Sequence, residues 1–93
     1  MIYVFDLDGT LLTEEKGNYS AAAPITERVD QVRELYKDHT IVIQTARSYI
    51  WEDFTLSQLD NFGIPYHAVS VGSKVYGDVY VDDKAVNDKD FFK

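Results

Sequence analysis

The sequence has no cysteine, only two prolines and five glycines, and a single tryptophan and methionine. Without thiols, neither a disulfide framework nor a thiolate metal site can form. Basic residues are also scarce. Nine Lys and Arg stand against sixteen Asp and Glu, for a formal net charge of -7. General electrostatic attraction to long nucleic acid or to an anionic membrane is thereby disfavoured, and an anionic ligand would need local help. Long hydrophobic runs are missing too. The first apolar stretch ends at Asp6, too short for a signal-peptide core or a membrane span, so a soluble, cytoplasmic protein is expected. No repeat, linker or low-complexity segment interrupts the chain. Its 93 residues, 45% of them hydrophobic, suit a single domain over residues 1–93 with a modest core.

Three short apolar runs are present: Ile2-Tyr3-Val4-Phe5, Ile41-Val42-Ile43 and Val79-Tyr80-Val81. They are β-branched or aromatic and continuous rather than alternating, as in strands buried on both faces of a parallel sheet. His67-Ala68-Val69-Ser70-Val71 is a weaker fourth. Between the first two, Ile25, Val29, Val32, Leu35 and Tyr36 recur at helical spacing, with Pro24 placed as in a first helical turn. Between the next two, Thr55-Leu56-Ser57-Gln58 has the form of a capping box, Leu56, Leu59 and Phe62 make an apolar stripe, and Gly63 suits a C-cap. The order β-α-β-α-β-β predicts an α/β fold, a small Rossmann-like parallel sheet flanked by helices. One link is short: the stretch from Val71 to Asp78 cannot hold a crossover helix, so an extended crossover or a shorter fourth strand is required.

In open α/β sheets ligands bind beyond the carboxyl ends of the strands. The first strand runs into Asp6-Leu7-Asp8, the second into Gln44-Thr45-Ala46-Arg47, the last into Asp82-Asp83. Four carboxylates gathered at one edge repel unless a cation shares the site. A hard divalent ion such as Mg²⁺, which takes carboxylates, waters and substrate phosphate, is the natural partner. An Asp-Leu-Asp spacing brings both side chains to one substrate only if the chain turns at the strand end, and Gly9 permits that turn. An EF-hand is excluded, because its sixth position needs glycine and holds Leu11.

Asp6-Leu7-Asp8-Gly9-Thr10 resembles the first motif of the haloacid dehalogenase (HAD) superfamily. Thr45 resembles its second, Lys74 its third and Asp82-Asp83 its fourth, in family order. Thr45-Ala46-Arg47, Gly63-Ile64-Pro65-Tyr66-His67 and Tyr80-Val81-Asp82-Asp83-Lys84-Ala85 are further similar to small capless members of the capsule-biosynthesis sugar phosphatase type. The segment from Leu11 to Pro24 is too short for a sizeable cap domain. A departure is the short connection around Gly72-Ser73-Lys74, where larger relatives present the lysine from a helix.

The resemblance implies a Mg²⁺-dependent phosphomonoesterase acting on a small phosphorylated metabolite such as a sugar phosphate. Asp6 would be the nucleophile that forms an aspartyl-phosphate, and Asp8 the general acid and base. Thr45, Ala46 and Lys74 would hold the phosphoryl oxygens. Metal ligands would be Asp6, the Asp8 backbone carbonyl, Asp82 and Asp83, the last directly or through water. Arg47 stands where it either contacts substrate or pairs with an acid at the surface. His39 and His67 read as structural or solvent-facing. A nucleotide or nucleic-acid end phosphatase is the alternative within the enzymes. From other classes come a non-catalytic phosphate-binding relative and a phospho-aspartate receiver, although a receiver carries its acidic pair after the first strand, whereas here adjacent aspartates close the last. A homo-oligomer is expected, because a capless domain has little surface of its own to cover a substrate.

Overall fold

Parallel pairing organises the chain. The computed structural model describes residues 1–15, 17–72, 77–82, 86–87 and 91–92. β1 (Ile2–Asp6) pairs with β2 (Thr40–Thr45), with Ile2 opposite Thr40 and Asp6 opposite Gln44. β3 (Ala68–Val71) adds outside β2, and β4 (Val79–Asp82) pairs with the other side of β1. With β5 (Val86–Asn87) the sheet has the order β3-β2-β1-β4-β5, every pair parallel. This is the Rossmann-like α/β architecture expected from the apolar runs.

Helices α1 (Thr26–Tyr36) and α2 (Glu52–Asn61) carry the chain from β1 to β2 and from β2 to β3. α1 turns Val29 and Val32 inward, and α2 contributes Leu59; all three join Phe5, Ile41, Ile43 and Val81 in one buried cluster. Each fully buried Leu, Ile or Phe of this kind stabilises the fold by about 1.5–3 kcal/mol relative to exposure. The opposite face is held by Val4 and Val42, at 3% and 8% exposure. Among the described residues no helix is long and apolar enough to cross a membrane.

Two helix starts differ from expectation. Pro24 lies outside α1, bridged to Leu12, and Ile25 is the N-cap. The Thr55–Gln58 stretch is not a capping box: a 3-10 turn at Tyr49–Trp51 leads into α2 one turn earlier, with Glu52 and Asp53 in its first turn facing the positive end of the helix dipole. The far end is as expected. The Gly63 N–H donates to the Asp60 carbonyl and the Ile64 N–H to the Leu59 carbonyl, the bond pattern of a Schellman cap.

Most of the short link to β4, residues 73–76, lies outside the described residues. β3 ends at Val71 and β4 begins at Val79 on the other side of β1, so β2 and β1 lie between the two strands that this short stretch joins. Near its end, Gly77 lies so close to Val4 that a β-carbon there would overlap the valine side chain. The Asp78 N–H then donates to the Ile2 carbonyl at 2.8 Å, and the Ile2 N–H returns a bond to the Asp78 carboxylate at 2.6 Å.

Candidate active site

The end of β1 builds one wall of the site. Leu7 is fully buried, and its carbonyl accepts N–H groups from Thr10, Leu11 and Leu12 at 3.2, 2.9 and 3.0 Å. The chain therefore curls tightly just after the strand. Gly9 takes φ of +84°, a region that favours glycine, and donates its N–H to the Leu12 carbonyl. Arg28 on α1 steadies the curl by donating to the Thr10 carbonyl at 3.0 Å.

Beyond the curl, the Thr13 N–H bonds to the Ala23 carbonyl, the Ala23 N–H to Thr13 Oγ1, and the Ile25 N–H to the Leu11 carbonyl. These bonds close a loop that stands over the carboxyl edge of the sheet. A cavity of about 330 Å³ lies between that loop and the strand ends, bordered by Asp6, Asp8, Glu14, Glu15, Gly17, Tyr19, Ala46 and Arg47. Asp6 and Asp8 thus share one open space, with Ala46 across from them. Thr45 ends β2 but is 2% exposed and does not border the cavity; its hydroxyl accepts the Arg47 N–H at 3.1 Å.

Asp82 ends β4 one residue past the Phe5–Val81 pair, level with Asp6 across the ladder. Lys74 and Asp83 lie outside the described residues. Among the described residues no three carboxylate or imidazole groups gather around one point. The two candidate metal donors that are described, the Asp6 carboxylate and the Asp8 main-chain carbonyl, are hard oxygen atoms of the type Mg²⁺ takes.

Arg47 is where sequence reasoning fell short. It is not a surface residue: it is 1% exposed and forms a two-pronged ion pair with Asp8, Nε to Oδ2 at 2.9 Å and Nη2 to Oδ1 at 2.7 Å. Its Nη1 donates to Thr55 Oγ1 at 3.1 Å and Gln58 Oε1 at 2.9 Å, both from α2. Tyr19 covers the face of the guanidinium, with the ring centre 4.3 Å from Cζ. Gln58 in turn donates Nε2 to the Tyr19 carbonyl at 2.9 Å. One signal for this was present in the sequence. Thr55 and Gln58, three apart, share one helix face, and two polar groups on a face that also carries Leu59 need a buried partner.

The histidines are structural, as expected. His67 Nδ1 accepts the Ile41 N–H at 3.0 Å, and His39 Nδ1 meets the N-terminal amine at 3.1 Å.

A parallel sheet whose first strand delivers two aspartates into a cavity at the carboxyl edge defines a Rossmann-like α/β protein with its site at that edge. The chain belongs to the haloacid dehalogenase-like hydrolases, whose family model matches residues 3–91. It is similar to a structural-genomics target from Vibrio cholerae known from its crystal structure, at 29% identity and a TM-score of 0.69, covering 99% of this chain and 88% of that one. A chain of the Pnkp1/Rnl/Hen1 complex shares the fold at 16% identity and a TM-score of 0.67, over 97% of this chain and 32% of that one. Among curated proteins none matches.

Proposed function

We propose that the protein is a Mg²⁺-dependent phosphomonoesterase of small phosphorylated metabolites, sugar phosphates in particular. The observation that carries the reading is the joint placement of Asp6 and Asp8 on one cavity at the carboxyl edge of a parallel sheet. A carboxylate oxygen of Asp6 attacks phosphorus as the bond to the leaving oxygen breaks, giving an aspartyl-phosphate. Asp8, holding on its cavity side a proton taken up from water while Arg47 keeps its place on the carboxyl group, gives that proton to the departing oxygen. It then takes a proton from a water whose oxygen attacks the same phosphorus and frees Asp6 with inorganic phosphate.

The main chain at Ala46, which borders the cavity, and Lys74 are the proposed holders of the phosphoryl oxygens, with Thr45 behind them at the end of β2, its hydroxyl bonded to the Arg47 main chain. Asp6, the Asp8 carbonyl, Asp82 and Asp83 would hold Mg²⁺, which when bound offsets the repulsion between the anionic nucleophile and the anionic phosphate.

Glu14 and Glu15 border the same cavity. Carboxylates there accept hydrogen bonds from a hydroxyl-rich leaving group and repel a second anionic group, which supports a sugar monophosphate over a nucleoside diphosphate or an oligonucleotide end. The test is phosphate release from a panel of sugar monophosphates, nucleotides and phosphorylated oligonucleotides. Highest kcat/KM on sugar monophosphates is expected. Preference for oligonucleotide ends would replace the metabolite reading, and no release from any phosphomonoester would overturn the activity itself.

A further inference from the structure

Of all the polar groups around the cavity, Arg47 is the most completely enclosed. Four of its N–H bonds are spent inside the protein, two on Asp8 and one each on Thr55 and Gln58, out of the five a guanidinium has. Little is left for a substrate. The two bonds to Asp8 fix more than distance. A planar fork meeting both oxygens of a carboxylate sets the rotation of the carboxylate plane as well as its position. The fork is itself fixed: Thr55 and Gln58 hold one end, Tyr19 lies across its face, and Gln58 ties the Tyr19 main chain to α2.

We infer that Arg47 is a positioning residue for Asp8, orienting the carboxyl group that exchanges protons with the leaving oxygen and with water, and that Thr55, Gln58 and Tyr19 hold Arg47 for that purpose. The inference rests on the acid–base reading of Asp8. A carboxylate has about four lone-pair sites. The guanidinium occupies one on each oxygen, so the sites left are those available at the cavity that Asp8 borders. The order of contact is then Gln58 and Thr55 to Arg47, Arg47 to Asp8, Asp8 to substrate. The chain from Tyr19 makes the loop over the cavity part of the same support.

The measurement is kcat and KM on an alkyl phosphate, whose leaving group needs a proton, and on an aryl phosphate, whose leaving group does not. It is made for the wild type, Arg47→Lys, Gln58→Leu, Asp8→Asn and the double variant Asp8→Asn/Arg47→Lys, each at a temperature where circular dichroism shows it folded. Arg47→Lys keeps the charge but loses the fork. It should lower kcat on the alkyl phosphate by about 10- to 100-fold, as for a misplaced catalytic group, with a smaller loss on the aryl phosphate and little change in KM. Gln58→Leu should show the same pattern more weakly. The double variant should be no slower than Asp8→Asn alone.

A KM rise shared by both substrates would overturn the inference in favour of direct substrate contact. An equal fall of kcat on both would overturn it in favour of a purely structural role. Should Arg47→Lys not fold, Gln58→Leu decides by the same ratio of the two rates. Asp8→Asn separates the role of Asp8 from that of Arg47. If it leaves the alkyl-to-aryl ratio unchanged, the acid–base reading of Asp8 falls. If it shifts the ratio and neither Arg47→Lys nor Gln58→Leu does, only the role of Arg47 falls.

Discussion

Removing the Asp8 side chain should unfold the protein more readily as well as inactivate it. Asp8→Ala leaves a guanidinium at 1% exposure without its ion-pair partner, held by neutral groups, the oxygens of Thr55 and Gln58 and the ring of Tyr19. Breaking a buried ion pair by deleting one member costs about 3–5 kcal/mol. Here the Asp8 side chain is 18% exposed, so water entering from the cavity reaches the vacated N–H groups, and the loss belongs near the lower end, about 3 kcal/mol. In a domain of this size each kcal/mol moves Tm by about 4–8 °C, giving a fall of about 12–24 °C. Asp8→Asn keeps one acceptor oxygen and should lose about half as much, near 1.5 kcal/mol. The assay is thermal unfolding by circular dichroism of the wild type, Asp8→Ala, Arg47→Met and the double variant. The double variant should recover much of what Asp8→Ala loses, because it no longer buries an unpaired charge. Additive losses, or an Asp8→Ala protein as stable as the wild type, would refute the buried pair in solution.

Three other outcomes are expected. Asp6→Asn should abolish turnover and weaken Mg²⁺ binding together, whereas Asp8→Asn should keep most of its metal affinity while losing about 10²–10⁴-fold in turnover on an alkyl phosphate; Mg²⁺ titration by calorimetry, alongside rates, checks both. Gly77→Ala forces a β-carbon against Val4 and should cost about 1–3 kcal/mol, lowering Tm by about 4–24 °C, read in the same melts. Burial, and then the Asp60 carboxylate bonded to it, pushes the Tyr66 phenol above its usual 10.0. The folded state therefore holds that proton longer, so the associated stability is complete below pH 10 and is lost as pH rises through the raised value; Tyr66→Phe should flatten that alkaline decline in a pH series of melts.

The strands were legible because burial on a parallel sheet writes continuous β-branched runs, and the position of the aspartates followed from reading each run to its end. The start of α2 was not legible for an instructive reason. The spacing of Thr55 and Gln58 that makes a capping box also places two oxygens on one face of a helix already under way, and only the fold decides between them. Arg47 suffered from the same ambiguity. Two residues past a strand end, a long cation points outward to solvent or inward to a carboxylate, and the choice depends on α2 being close enough to receive its second nitrogen. The link from Val71 to Val79 was legible only as a shortage of chain; that its end must pack against Val4 at Gly77 depends on the fold.

In the proposed reaction Asp6 carries the phosphoryl group. The most direct measurement is mass spectrometry of acid-quenched Asp8→Asn protein after mixing with an aryl phosphate and Mg²⁺. That substrate loads the enzyme without needing a proton, and the missing base slows release. A mass increase of one phosphoryl group is expected, localised by peptide fragmentation to Asp6 and lost in Asp6→Asn/Asp8→Asn. Substrate turnover with no such adduct, or an adduct on any other residue, would contradict it.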